Sequence, residues 1–286
     1  MGKYISTKDW KAYIKKLAAL NDKAAKLVQE YVMRHGFADT DALIRYAYNV
    51  VQKYGTGSAT LAAMMYDATA EMAGKFYAPA ELAEVASYGD VAKTVNGVLK
   101  TSKNTEEISS AVARLVKKAA CDTTLQNAYR DTVGSIDLYS TGRRRYGKKK
   151  LTGVQFAWIP SGDTCAYCLA LAANGWQNQT VGAAASHAEH IHSNCDCNYA
   201  VRFSEDSGIE GYDPDDYREQ IENSLKAQGM NDDVDTYFHG AMNDDVINAV
   251  RRQNYARNKE EINAQKRSAY EKRKELNSSE AEESEA

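Results

Sequence analysis

The sequence predicts an α+β protein that is mostly helical, with a helical N-terminal region, a small β-containing Cys/His module and C-terminal helices. Three observations carry that reading. Only three prolines interrupt an alanine-rich chain of 286 residues, a composition that favours helix over sheet. Apolar residues recur at helical spacing through most of the first 139 residues. Past residue 150 the pattern changes to short, β-rich runs beside clustered cysteines.

Thr7 is expected to cap the first helix, which places Trp10, Tyr13, Ile14, Leu17, Leu20, Ala24 and Leu27 on its inner side, with Gly36 as its stop. Asp39 or Thr40 caps the next, which carries Leu43, Tyr46, Ala47, Val50 and Val51 and is expected to end at Gly55 and Gly57. A third helix then begins at Ser58 or Thr60 and runs from Leu61 to Met72. Further helices are predicted at Pro79 to Ala86, Val91 to Leu99, Thr105 to Lys118 and Thr124 to Val133. Glu106 and Glu107 give the Thr105 helix an acidic first turn, favourable to its dipole.

Residues 140–150 form a basic linker, in which Arg143, Arg144, Arg145, Lys148, Lys149 and Lys150 are split by glycine and tyrosine. Such a run is either a solvated connection or a contact for phosphate or an acidic protein surface. It holds nothing that reads a base sequence, so DNA contact there would be non-specific. Val154 to Ile159 reads as a strand ending at Pro160, and Tyr199 to Phe203 as a second, both within a module at 151–205. From 206 to 286 the chain reads as C-terminal helices, one entered at Pro214 and running from Asp215 to about Ala227, one through Val246 to Tyr255. The polar stretch after them ends in an acidic segment expected to be disordered.

Function is written most densely between the strands. Four of the five cysteines and three of the five histidines lie between Cys165 and Cys197. Cys165 and Cys168 form a C-x2-C pair, the half-site of structural zinc modules, placed by the sequence in a tight turn at a strand end. The second half would come from His192 and Cys195, with Cys197 competing for either place and His187 and His190 in reserve. Sulfur and nitrogen donors select zinc, and four of them would close the site, which favours a structural ion over a catalytic one. Reduced thiols with a hydrogen-bonded histidine are the second reading. Disulfides are the third, should the protein leave the cell inside a particle. His187-Ala188-Glu189 matches half of a zinc-deaminase signature, but Cys165 and Cys168 come before it rather than after. A zinc-dependent enzyme acting on nucleic acid or nucleotides is therefore an alternative, as is a zinc-stabilised DNA-binding module. The main expectation is no enzymatic activity.

The net charge of −3 excludes bulk electrostatic binding of nucleic acid by the chain as a whole. No apolar stretch is long enough to span a bilayer, and no signal-peptide core appears near Met1, so the expected compartment is the cytosol, without membrane contact. The 19 tyrosines combine apolar area with a polar tip and suit a protein with contact surfaces.

Trp158, then Asp163-Thr164-Cys165-Ala166-Tyr167-Cys168, then His192-Ser193-Asn194-Cys195-Asp196-Cys197 and a strand, resembles the signature of the Mu-type head morphogenesis (MuF-like) minor capsid proteins of tailed bacteriophages. The likeness is close from Val154 to Phe203, and the turn Gly211-Tyr212-Asp213-Pro214 resembles the segment after the motif in related phage proteins. The sequence departs from the pattern at Ser193, where proline is usual, and at Asp196, where arginine is usual. The resemblance implies a minor capsid protein in few copies inside the virion or at the portal vertex. Its implied partners are the portal protein and other capsid or scaffold proteins, with non-specific DNA contact. It would be assembled in the bacterial cytoplasm and would assist head assembly and DNA packaging or delivery.

Overall fold

The computed structural model describes residues 4–75, 78–102, 104–140, 154–160, 166–178, 198–230 and 244–256, with a few helical positions as far as 267; side chains at 133–140 and at 166 are not described. The chain forms two compact units, Met1–Pro214 and Asp215–Ala286.

Strand β1 is only Tyr4–Ile5, and helix α1 spans Thr7–His35. The cap of α1 is Ser6 rather than Thr7. Ser6 Oγ accepts from the Asp9 amide at 3.1 Å and donates to the Asp9 carboxylate at 2.7 Å. The inner face holds Trp10, Tyr13, Leu17, Ala24, Val28 and Val32. The helix stops at Gly36 as its sequence predicts: φ there is 65°, and its amide donates to Val32 O at 2.8 Å.

Helix α2 runs unbroken from Thr40 to Met72, with Asp39 as its cap. The expected break at Gly55 and Gly57 does not occur. Gly55 is instead where another segment presses in: a Cβ there would lie 2.7 Å from Val85 Cγ1. A glycine that reads as a stop in sequence thus serves close approach within a helix.

Val85 belongs to a second departure. The predicted Pro79 to Ala86 helix is an irregular strap, 78–87, bonded to α2 and to the helix Thr105–Ser140. Several of its backbone groups, most of them at exposed or half-buried residues, bond to side chains of the two helices. Ala80 N donates to Asp67 Oδ1, Glu81 N to Asn127 Oδ1 and Ala83 N to Thr123 Oγ1. Gln52 donates to Ala86 O, and Arg130 to the carbonyls of Ala78 and Pro79.

Helix α3, Tyr88–Thr101, opens with a capping box in which Ser87 and Asp90 bond each other's amides. Helix α4, Thr105–Ser140, merges the two helices expected at 105–118 and 124–133. Thr124, which reads as a start, and its neighbour Thr123 bond back to Ala120 O and Ala119 O and leave the helix intact.

The strands are short. Strands β2 (Gln155–Ile159), β3 (Gln177–Asn178) and β4 (Asn198–Arg202) form one antiparallel sheet ordered β3-β2-β4. Helix α5, Ala166–Ala173, lies between β2 and β3 in the chain. Strand β5, Gly208–Ile209, pairs in parallel with β1. Two cores result. One joins α1 to α4 through Val28, Leu43, Val51, Val91 and Val112. The other joins the sheet to the helices through Ile5, Trp10, Tyr13, Ala62, Ile159, Ala200 and Ile209. Helix α6, Pro214–Lys226, starts with the expected proline and buries Ile221 and Leu225, and 244–256 is helical as predicted.

Candidate functional site

The β2–β4 pair sets the geometry around the cysteine motifs. Its register places Ile159, the last residue of β2, opposite Asn198, the first of β4. Cys165 lies six residues past Ile159, and Cys197 directly precedes Asn198. The chain entering C-x2-C and the chain leaving C-x-C therefore depart from the same end of one antiparallel ladder. That is the topology a shared ion needs.

Cys168 is wholly buried in α5, where Leu169, Ala170, Leu171, Ala172 and Ala173 are buried with it. It sits on a helix, not in the strand-end turn expected from sequence. Its apolar surroundings suit a metal-bound thiolate or a packed cysteine alike. Cys165, His192, Cys195 and Cys197 lie outside the described residues, as do His187, Glu189, His190 and the basic residues Arg143, Arg144, Arg145, Lys148, Lys149 and Lys150. Among the described residues, no three His, Cys, Asp or Glu side chains converge as a metal site.

The sheet itself is an aromatic platform. Phe156 meets Trp158 edge-on with ring centroids 4.8 Å apart, and Tyr199 lies 5.5 Å from Trp158. Phe203 meets Tyr66 of α2 edge-on at 5.2 Å. Tyr66 is buried and donates to Asp131 Oδ2 at 2.8 Å, and Arg130 Nε bonds the other carboxylate oxygen at 2.8 Å. That charge-assisted bond holds the Arg130 guanidinium above its ordinary pKa. One chain of contacts thus runs from β4 through α2 and α4 to the strap.

At the end of β4, Arg202 lies over the Trp176 ring at 5.1 Å and donates from Nε to Gln155 Oε1 at 2.7 Å. Burial draws its pKa below the usual value. Trp176 also meets Tyr212 edge-on at 5.5 Å, and the Tyr212 hydroxyl donates to Ala172 O at 2.8 Å. Gly208, at φ 154°, leaves room for that indole: a Cβ there would lie 3.0 Å from Trp176 Cζ2. The Gly211-Tyr212-Asp213-Pro214 turn therefore packs back on the module through Tyr212.

Between α1, α4 and β4 lies a small cleft lined by Tyr13, Asn21, Cys121, Thr124, Asn198 and Tyr199, with room for about one water. Burial, and then the neighbouring Cys121, push the Tyr13 hydroxyl well above its usual pKa. Such a cleft is too small for a substrate. Cys121, the cysteine outside the cluster, shares this cleft with Asn198, the residue next to Cys197, and sequence reasoning did not weigh it. Sequence reasoning also missed Thr123, Asn127, Arg130 and Asp131. Their signal was present: polar residues at core-facing positions of a long helix, which must be hydrogen-bonded to something.

A family model matches residues 4–224. The chain belongs to the VG15 protein family. VG15 is a family of viral and phage-genome proteins, and membership points to a phage origin. The matched region opens on β1 and closes within α6, so it takes in the helical frame, the module and the β1–β5 pair together. No curated protein and no solved structure matches the chain. Among the described residues, no helix is long and apolar enough to cross a membrane.

Proposed function

We propose that this VG15 protein is a minor capsid, or head morphogenesis, protein that docks at the portal vertex and assists head assembly and DNA packaging or delivery. The observation that carries the reading is the VG15 match, which points to a phage origin and spans the same module whose D-x-x-C-x-x-C and H-x2-C-x-C motifs resemble those of MuF-like proteins. The aligned ends of β2 and β4 support a module in which those motifs close on each other. In this reading Cys168 joins Cys165, His192 and Cys195, with Cys197 competing for either of the last two places, around one structural zinc ion, which would cross-brace the ends of the sheet. Portal and scaffold proteins are its partners, and the basic run at 143–150 meets DNA or an acidic partner surface.

The test is association. Tagged protein from infected cells should enrich portal protein, and mature particles should contain the chain in few copies. A chain that is absent from particles and never enriches portal protein would sink the reading.

A further inference from the structure

Helix α1 carries a face that its packing does not explain. Its buried residues Trp10, Tyr13, Leu17, Ala24 and Val28 form one stripe. At 100° per residue, Lys8, Lys11, Lys15, Lys16, Lys23 and Lys26 fall within an arc of about 140° on the opposite side. All six are exposed. Between residues 8 and 26 the arc otherwise holds only Ala12, Ala19 and Asp22. Lys26 approaches Glu30 at 3.9 Å. The other five form no ion pair among the described residues.

A solvated helix face normally mixes both signs of charge and laces them with i,i+4 pairs. The chain as a whole has 36 basic and 39 acidic residues, so a face with six lysines and one aspartate is a segregated one. Like charges this close repel one another, and among the described residues only Asp22 in the arc and Glu30 beside Lys26 offset that. A polyanion would offset the rest.

We propose that this lysine face of α1 binds the phosphate backbone of double-stranded DNA without regard to sequence. Each alternative is disfavoured by what the arc lacks. Protein interfaces are depleted in lysine and rely on aromatic and apolar anchors, and the only apolar residues here are alanines. Single-stranded nucleic acid is held by stacking on aromatic rings, and the arc has none. No Arg, Asn or Gln is placed to read base edges. What remains is a row of flexible point charges about 27 Å long, a length over which B-DNA presents many phosphates. The face lies outside the basic run at 143–150, and the inference holds whether or not the chain is a head protein.

The experiment is fluorescence anisotropy of the full chain with a labelled duplex of arbitrary sequence, at salt from about 50 to 200 mM. The wild type should lose roughly 10²- to 10³-fold in affinity across that range if about five phosphates are engaged. A chain with Lys8→Gln, Lys11→Gln, Lys15→Gln, Lys16→Gln and Lys23→Gln should lose most of that slope, about 0.9 log units per contact removed. The matching Lys→Arg chain should keep it. Thermal melting of both chains checks that these exposed changes leave the fold intact. A glutamine chain that binds with wild-type affinity and slope overturns the inference, and so does a wild type whose binding is abolished only by neutralising 143–150. Polyglutamate competing as well as DNA at equal charge would assign the face to an acidic protein and overturn it too. Failure to enrich portal protein would sink the head-protein reading while leaving these measurements standing.

Discussion

Replacing Asn127 with alanine tests whether the strap at 78–87 is held by backbone recognition. Asn127 is fully buried in α4. Its Oδ1 accepts from Glu81 N at 2.9 Å, while its Nδ2 donates to Glu81 O and to Thr123 O, both at 2.7 Å. One amide side chain therefore satisfies both backbone groups of one strap residue. At about 1 kcal/mol net for each bond, less what water recovers at the half-exposed strap, Asn127→Ala should cost about 2–3 kcal/mol. Asn127→Asp should cost more at neutral pH. It keeps the acceptor for Glu81 N but turns a carboxylate towards two carbonyl oxygens. Protonation would relieve that repulsion, so the aspartate variant should regain stability as the pH falls, a sign opposite to ordinary acid destabilisation. The assays are urea unfolding and limited proteolysis, with the first new cleavage expected in 78–87. An alanine variant as stable and protease-resistant as the wild type, or an aspartate variant milder than alanine, would refute the reasoning.

Gly55→Ala gains helix propensity of about 1 kcal/mol but meets Val85, a stiff side chain on a tethered strap, so it should destabilise by about 1 kcal/mol net. Adding Val85→Ala should remove the clash, and the double variant should be more stable than the single one in thermal melts. The bonds from Ser87 lower the pKa of Asp90 below its ordinary 3.8. The capping box should therefore contribute its full stability above that value and lose it as the pH falls through the lower folded value, and Ser87→Ala should flatten that part of an acid titration. Tyr66→Phe removes the hydroxyl from the buried Asp131 and should cost about 1–2 kcal/mol by urea unfolding. For the proposed zinc site, elemental analysis of the purified chain should find about one zinc ion, and Cys168→Ser should abolish it; a chain without metal would remove the site.

Much of the helical frame is legible in the sequence. The apolar spacing of α1, the Gly36 stop, the Asp39 cap and Pro214 at the head of α6 are local signals, and local signals survive folding. The merged helices show where that fails. Gly55 and Thr123 carry the chemistry of helix ends, but what they serve is tertiary: a notch for Val85 in one case, a bond from Ala83 N of the strap in the other. The strap itself has the composition of a helix, Pro79 then Ala-Glu-Leu-Ala-Glu, and is held out of it by side-chain partners from two other helices. Nor could any window reveal β1, two residues long, whose partner lies more than two hundred residues away. At the candidate site, the positions of both strands were readable from β-branched and aromatic runs. The shared departure point of the two cysteine motifs was not, because it depends on register.

That register bears on what a metal could do here. A zinc finger that stands alone owes its fold to the ion, because it has too little apolar surface to bury. This module is different. Ile159 of β2 and Ala200 of β4 lie in one core with Trp10 and Tyr13 of α1 and Ala62 of α2. Ile5 and Ile209 close the same core, with Glu210 N bonding Ile5 O at 2.9 Å and Thr7 Oγ1 bonding Glu210 O at 3.0 Å. The sheet is therefore assembled by the helices and clamped by the start of the chain. An ion at its end would brace the loops between β2 and β4 rather than nucleate the fold. Chelation should then loosen the segment between Cys165 and Cys197 to proteases while the helical circular dichroism and the main unfolding transition persist. Global unfolding on chelation would show instead that the ion, not the helical frame, holds the sheet together.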